Sequence, residues 1–182
     1  GATEIAYNSQ DPSVILQDII LKYRADGGVI NYTTSSIETT GTTVSYTFNT
    51  NTVREAIDKV IELAPEGWYW TLDANSIIYL KSRSTTAIHN FVIGTHINKM
   101  ETWRRIEDVV NRVYFTGFTT ASGTGMYRIY SNTGSVTSYG LHAIHKVDGR
   151  VTNTSTADTM SNRILTARSE PEIRTSITIL DD

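Results

Sequence analysis

The chain of 182 residues contains no cysteine. This absence excludes disulfide bridges, thiolate metal sites and cysteine nucleophiles together, so the fold depends on packing alone. No apolar run approaches the roughly 20 residues that a membrane-spanning helix needs. The formal net charge is −3 and the basic residues are scattered, which gives no electrostatic reason to expect nucleic acid as a partner. We therefore expect contact with neither nucleic acid nor a membrane.

Local motifs of the common enzyme classes are also missing. The sequence has no GxSxG, HExxH, GxGxxG or phosphate-binding loop. His142 and His145 lie in a strand-like stretch, where residues three apart point to opposite faces, so we expect no metal site. Neighbouring carboxylates such as Glu107 and Asp108 would have to face each other across a cleft to hydrolyse a glycoside. We expect no enzyme, no catalytic residue and no cofactor.

Threonine is unusually abundant, with 28 residues beside 16 serines. Its β-branched side chain suits the solvent face of strands, and it clusters in stretches such as NYTTSSIETTGTTVSYTF. Surfaces rich in threonine and serine and poor in lysine are common in extracellular and virion proteins. Hydrophobic residues make up 39% of the chain, which is enough for a buried core.

Capping residues and apolar periodicity predict three helices. The first is capped by Asp11, the second has capping-box spacing at Thr52 and Glu55, and the third has the same spacing at Ser155 and Asp158. The residues predicted to end them are, in order, Gly27, Pro65 and Pro171. Each predicted helix carries an apolar stripe that faces a core.

Most of the remaining sequence is predicted as strand. GWYWTLDANSIIYLKS has the pattern of a hairpin around DANS, and VVNRVYFTG, MYRIYS and EIRTSITIL are further strands. The segments 117–125 and 131–135 are predicted turns or loops, and residues 94–108 have no clean period. Parallel βαβ alternation is not evident. The predicted class is α+β, with about three helices and mostly antiparallel sheet.

The hairpin segment GWYWTLDANSIIYLK allows two interpretations. Its aromatic side chains could form a stacking platform for a sugar, or they could be buried in a core or against a neighbouring subunit. Apolar residues fall on both faces of the predicted hairpin, and the second helix leads directly into it, so we favour core or subunit contact. The candidate residues for contact with a partner or a glycan are Trp68, Tyr69, Trp70 and Tyr79.

Several segments follow one another in a distinctive order. DPSVILQDIILKY is followed by SYTFNTNTVREAIDKVIELAPEGWYWTLDANSIIYLK, then by NRVYFTG, and finally by TADTMSNRIL with SEP and a strand. This combination, from about Asp11 to Asp181, resembles a central region of phage minor tail proteins, which are the tail-tip or baseplate-hub proteins of siphophages and prophages. It is more distantly similar to the late control protein D and spike-hub superfamily of contractile injection machines.

The resemblance implies a hub built as a homotrimeric ring around a tail channel. Residues 11–105 would form a helix-plus-hairpin lobe, beside a strand-rich part, residues 106–182, of a barrel-like tube domain. The strands that begin at Val109 and Ile173 would belong to that barrel. Such hubs are longer, so this chain is expected to be a fragment of a larger protein. The family has no catalytic residues in this region.

These observations give a main hypothesis and an alternative. The main hypothesis is a structural component of a phage or prophage tail tip or baseplate hub, acting in tail assembly and host attachment. Its expected partners are tube, tape-measure, fibre or spike proteins, and its expected location is the virion tail after synthesis in the host cytoplasm. The alternative is a carbohydrate-binding attachment module that contacts the host cell wall. An enzyme acting on the wall ranks third.

Overall fold

The computed structural model describes residues 4–49, 52–86, 92–93, 95–119, 123 and 125–179, and four helices and nine strands lie within these ranges. The helices are α1 (Pro12–Ala25), α2 (Val53–Leu63), α3 (Thr133–Tyr139) and α4 (Thr154–Arg168). The strands are β1 (Ile5–Gln10), β2 (Val44–Phe48), β3 (Trp68–Leu72), β4 (Ile78–Ser82), β5 (Ile97–Arg105), β6 (Arg112–Thr119), β7 (Gly125–Ser131), β8 (Ala143–Val147) and β9 (Glu172–Ile179).

The strands form four small, open sheets. β1 pairs with β2, β3 with β4 and β5 with β9, each antiparallel. The fourth sheet has the order β7–β6–β8, in which β6 is antiparallel to β7 and parallel to β8. The predicted α+β class is confirmed. The resemblance places β6 and β9 in one barrel. In the described chain these two strands belong to separate open sheets, and no barrel closes.

Local capping explains where the first two helices begin, as predicted. The Asp11 side chain accepts a hydrogen bond from the Ser13 backbone N–H at 2.8 Å, which satisfies one of the free donors at the start of α1. Thr52 and Glu55 form a reciprocal capping box, with both hydrogen bonds at 3.2 Å. α2 ends at Leu63, just before Pro65.

The start of α4 differs from the prediction. The capping residue is Asn153, whose side chain accepts from the Thr156 backbone N–H at 2.8 Å, whereas the predicted cap, Ser155, lies inside the first turn. Asparagine and serine cap helices about equally well, so the sequence offers two neighbouring starts of similar quality. Packing selects the earlier start. Thr156 is fully buried there, and its hydroxyl accepts from the Ser45 backbone N–H at 2.8 Å.

The segment 131–135, predicted as a turn or loop, contains the start of α3. Asn132 caps this helix by accepting from the Ser135 backbone N–H at 3.1 Å. Gly134 and the serine and threonine residues around it have low helix propensity, which explains the wrong prediction. Tertiary contacts compensate, because Ser135 is buried and its hydroxyl donates to the Ser169 carbonyl.

Strand content also exceeds the prediction. β5 occupies most of the segment 94–108, which was predicted to have no regular period; eight of its nine residues are exposed, so it has no apolar alternation. The predicted turn 117–125 is shorter, because β6 continues to Thr119 and β7 begins at Gly125. Residues 120–122 and 124 of that turn lie outside the described residues.

One main hydrophobic core holds the helices and sheets together. α1, α2 and α4 pack on one another or on β2, and α4 also packs on β6 and β7. The core includes Leu16, Tyr46 and Val60 together with Phe115 and Met160, each at most 2% exposed. It therefore draws on residues from both predicted units, and the boundary at residue 105 stays a prediction. Each fully buried apolar side chain contributes about 2 kcal/mol.

Candidate interaction surfaces

The tryptophan face of the β3–β4 hairpin is covered by the chain itself. Trp68 and Trp70 are half-buried against the main core, and in the register Trp70 lies opposite Leu80, which is fully buried. The Trp70 indole N–H donates to the Asp58 carboxylate on α2 at 2.9 Å. This arrangement confirms that α2 packs onto the hairpin.

The opposite face of the hairpin carries the tyrosines and is more open. Tyr69 is 39% exposed, and Tyr79 is half-buried with its hydroxyl donating to Asp73 at 3.4 Å. Lys81, opposite Tyr69, reaches across to the Glu38 carboxylate at 2.9 Å. The four predicted contact residues are therefore divided between two faces and cannot form one platform. Their role in binding a partner or a glycan stays a prediction.

The turn of this hairpin and its β4 edge are both held by hydrogen bonds within the chain. The Asp73 carboxylate accepts from the backbone N–H groups of Asn75 and Ile77 at 2.9 and 2.8 Å, which identifies it as a turn former. Isolated parallel bridges join the preceding segment to the hairpin at Asn31–Ile77 and Ile37–Leu80. The β4 edge is thus covered, and the hairpin is anchored to the body of the chain.

The clearest unpartnered element is the pair formed by β5 and β9, which we call the ribbon. Eight of the nine β5 residues are exposed, as are the β9 residues 172–178. Neither strand hydrogen-bonds to a third strand, and among the described residues no other element packs extensively against them. A two-stranded antiparallel pair with no cover is marginally stable in water. Apart from the Ile93–Ile97 bridge at one end of β5, the described part of the chain leaves both faces and both edges of the ribbon without a partner.

The two faces of the ribbon differ in chemistry. One face has Met100 opposite Ile177 and Arg104 opposite Ile173, with Thr102 and Thr175 between them. The apolar members of this face are 47–59% exposed. The other face is mostly charged, with two short ion pairs, Lys99–Glu101 at 2.7 Å and Arg174–Glu172 at 2.9 Å, and it also carries the exposed Trp103. We call the first one the apolar face of the ribbon.

A second uncovered surface lies on the β7–β6–β8 sheet. Its inner face carries Val113 and Phe115, both fully buried, whereas the alternate residues point away from the core. We call this second set the outer face; it consists of Arg112, Tyr114, Thr116, Phe118, Tyr127, Ile129, Ser131, Ala143, His145 and Val147. Phe118, Tyr127, Ile129 and Val147 are 47–63% exposed. In the described chain no helix covers this face.

Specific side-chain contacts order the outer face. The rings of Tyr114 and Tyr127 stack across β6 and β7, with centroids 6.5 Å apart and planes within 12°. The Thr116 hydroxyl hydrogen-bonds a ring nitrogen of His145 across β6 and β8 at 2.8 Å. His142 lies before β8 and its ring contacts the Tyr139 carbonyl instead, at 3.1 Å. The described residues contain no group of three side chains that could hold a metal ion.

Asn111 holds the outer face in place, and the sequence reasoning missed it. This residue is fully buried; its side-chain oxygen accepts from the His142 backbone N–H at 2.8 Å, and its amide nitrogen donates to the Gly140 carbonyl at 2.6 Å. It thereby fixes the segment that leads into β8 beside the start of β6. The signal available in the sequence was a lone asparagine next to an otherwise apolar strand, VVNRVYF.

A charged cluster links α2 to the end of β8. The Lys59 ammonium contacts Glu62 at 2.8 Å and Asp148 at 2.7 Å, and Lys146 contacts Glu62 at 2.5 Å. Burial by itself lowers the pKa of Lys59, but the Asp148 and Glu62 carboxylates raise it on balance. Burial likewise raises the pKa of Glu62, whereas Lys146 and Lys59 lower it on balance. The cluster is a structural connection with its charges compensated.

A cleft of about 500 Å³ lies between β1, α1 and the start of α2. Apolar side chains including Ile5, Ile19 and Phe48 line it. At its edge the Tyr7 hydroxyl donates to the Asp18 carboxylate at 2.6 Å.

Among the described residues no helix is both long and apolar enough to cross a membrane.

Comparison with known proteins identifies the fold. No family model matches the sequence, and no curated protein matches it. Among solved structures, the prophage tail protein gp18 from Listeria monocytogenes matches 97% of this chain with a TM-score of 0.61 and 16% sequence identity. The 43 kDa tail protein of prophage MuSo2 from Shewanella oneidensis matches 87% of the chain at 12% identity and a TM-score of 0.48.

The match with gp18 establishes a shared fold along nearly the whole chain. It covers 53% of the gp18 chain, so this chain spans about half the length of that tail protein. The similarity includes the elements that bear the ribbon and the outer face, because almost no part of this chain lies outside it.

Proposed function

We propose that this chain is a non-enzymatic structural part of a phage or prophage tail, located at the tail tip or baseplate hub. The observation that carries the proposal is the fold shared with the prophage tail protein gp18 over 97% of the chain. The order of sequence motifs supports the same assignment independently of the fold. The finer relationship to the late control protein D and spike-hub superfamily rests on those motifs.

In this proposal the chain acts by assembling with other protein chains of the tail. The ribbon and the outer face leave apolar strand surfaces exposed, and burial against other protein chains stabilises such surfaces. A homotrimer within the full-length protein, joined to tube, tape-measure, fibre or spike proteins, gives them cover. The assembled hub then transmits host attachment to the opening of the tail. Neither nucleic acid nor a membrane is needed as a partner in this mechanism.

A carbohydrate-binding attachment module is the second candidate. The observation in its favour is the open tyrosine face of the hairpin, where Tyr69 is 39% exposed beside the half-buried Tyr79. Exposed tyrosine rings can stack on the apolar faces of sugars. Binding of cell-wall glycans that is lost in Tyr69→Ala, with an unchanged unfolding transition, would favour this candidate over pure assembly.

The test of the main proposal is genetic and compositional. The gene that encodes the chain is deleted, particles are induced or propagated, and purified particles are examined by mass spectrometry and electron microscopy. We expect the protein in wild-type particles, and defective tails with normal heads in the deletion strain. Complete, infectious particles in the deletion strain, or particles that lack the protein, would refute the proposal.

A further inference from the structure

We propose that the outer face of the β7–β6–β8 sheet binds an acidic segment of another protein of the tail. A carboxylate of that segment lies at the end of the face formed by Arg112, and its apolar side chains cover the centre. The inference rests on the proposed function and adds to it the chemistry of one partner and the place where that partner binds. Unpaired arginines, an apolar centre and a small area carry it.

The pairing of basic side chains singles out this region of the molecule. All five lysines form ion pairs, and six of the eleven arginines donate a hydrogen bond or form an ion pair. Within the described chain the other arginine side chains do neither: Arg83, Arg104, Arg105, Arg112 and Arg128. Four of these five lie on the strands of the ribbon or of the sheet. The three strands of the sheet carry no carboxylate, so their charge calls for an acidic partner.

Arg112 is the arginine whose missing partner costs most. It is half-buried at the start of β6, between Ser131 and Ala143 on the outer face. Its Nε is buried and has no hydrogen-bond partner. Burial of a charge is costly unless an opposite charge compensates it. Since a guanidinium can bind a carboxylate through two parallel hydrogen bonds, an acidic side chain of the partner supplies the compensation that the described chain does not.

Beyond Arg112 the exposed surface of this face is mainly apolar. Ile129 and Tyr127 follow on β7 and Val147 on β8, and these side chains are 57%, 57% and 63% exposed. Tyrosine and arginine are the residues in which the centres of protein interfaces are enriched. Aliphatic side chains as exposed as Ile129 and Val147 gain from burial against other apolar side chains. The composition therefore favours a protein segment over a glycan.

The size of the face suits a segment rather than a whole domain. Three strands of five residues cover about 14 Å by about 17 Å, or roughly 240 Å². A stable interface between two free proteins needs about 800 Å² on each partner. We therefore expect a segment of about five residues, held in an assembled tail where other contacts keep it at a high effective concentration. The ribbon of a second copy is no match, because its four basic and two acidic side chains give it a net charge of +2.

Photo-cross-linking in assembled particles identifies the segment. Tyr127 of the full-length protein is replaced by the photoreactive p-benzoylphenylalanine, the particles are irradiated, and the joined peptide is sequenced by mass spectrometry. Tyr69, an exposed tyrosine on the hairpin, receives the same replacement as a matched control. We expect one peptide from a different tail protein, with more acidic than basic residues. Its yield should be at least tenfold lower with the photoreactive group at position 69.

Charge reversal tests the role of Arg112 in the same particles. In Arg112→Glu the cross-link from position 127 should decrease at least tenfold, whereas Arg112→Lys, which keeps the charge, should retain part of it. Arg83→Glu changes an exposed and equally unpaired arginine outside the sheet, so the yield should stay within twofold. Thermal unfolding of the purified variants checks that each keeps the fold.

Several results would overturn the inference. They are a neutral or basic peptide, a peptide from another copy of this chain, a sugar adduct, no joined peptide, or an equal loss of yield in Arg83→Glu. An unchanged yield in a folded Arg112→Glu variant would do the same; if that variant does not fold, the charge and origin of the joined peptide decide. The proposed function is refuted only when particles lack the protein, whereas any of these results with the protein present refutes the inference alone.

Discussion

Met100 and Ile177 lie directly opposite each other on β5 and β9 and face the same side of the ribbon, with 47% and 48% of each exposed. Cross-strand apolar pairs stabilise a sheet most when another layer covers them. Here that layer is missing within the described chain. The pair therefore marks the surface on which the proposed assembly depends most.

A charge on this pair should prevent self-association without unfolding the chain. In Ile177→Glu we expect a monomer at concentrations where the unmodified protein associates, because burying the carboxylate costs more than the contact gains. The free energy of unfolding of the monomer should change by less than about 0.5 kcal/mol, since the site is exposed. Sedimentation velocity and thermal unfolding measure the two effects. Val29→Glu, at a residue 74% exposed and outside both surfaces, should leave association intact; equal loss in this control would contradict the account.

Removal of the Asn111 side chain should destabilise the β7–β6–β8 sheet. Asn111→Ala empties a fully buried position and removes the hydrogen bonds to the half-buried His142 N–H and to the Gly140 carbonyl, so we expect a loss of about 2 kcal/mol in the free energy of unfolding. Denaturant titration measures it. The matched variant Asn162→Ala, on the exposed side of α4, should be neutral or slightly stabilising because alanine has the higher helix propensity. A change below about 0.5 kcal/mol in Asn111→Ala would show that this residue is dispensable.

The two faces of the hairpin should respond differently to truncation. Trp70→Ala removes core packing and the hydrogen bond to Asp58, so we expect a loss of about 2 kcal/mol. Tyr69→Ala removes an exposed ring and should cost less than about 1 kcal/mol. Chemical denaturation of the two variants side by side checks the order. The reverse order would mean that the tyrosine face, rather than the tryptophan face, supports the fold.

The charged cluster predicts a decrease in stability at acid pH. The pKa of Glu62 is lower in the folded state than its ordinary value of 4.5, so its contribution is present above pH 4.5 and is lost as the pH falls through the folded value. Glu62→Gln should therefore be less stable than the unmodified protein at pH 7, with a smaller difference at about pH 3. Urea titrations across this range measure the difference. A difference that is independent of pH would contradict the assigned role of Lys59 and Lys146 as its partners.

The part of the fold that was predictable from the sequence depends on local chemistry. The caps at Asp11 and Thr52 act within a few residues of the chain, and so does the Asp73 turn of the hairpin. The first two helices and the hairpin could be placed correctly for this reason. At α4 the predicted cap is Ser155, whereas the helix is capped by Asn153, because two good capping residues lie two positions apart.

The parts that were missed depend on contacts between distant residues. α3 forms despite poor helix propensity because the Ser135 hydroxyl donates to the Ser169 carbonyl. β5 has no apolar alternation because eight of its nine residues are exposed, although its pairing with β9 is regular from Lys99 onwards. The parallel pairing of β6 with β8 is held by Asn111, whose partners are about 30 positions away. The predicted contact surface differs from the exposed one for the same reason. The sequence indicates the aromatic hairpin, whereas the exposed ribbon is recognisable only after β5 and β9 are paired.

The central claim, a structural role at the tip of a phage tail, is tested most directly by locating the protein in particles. An affinity tag on the chain, labelled with gold and viewed by negative-stain electron microscopy, reports its position. The account predicts labels confined to the end of the tail that is distal to the head, in a small fixed number per particle. Labels along the whole tail, on the head, or absent from intact particles would contradict it.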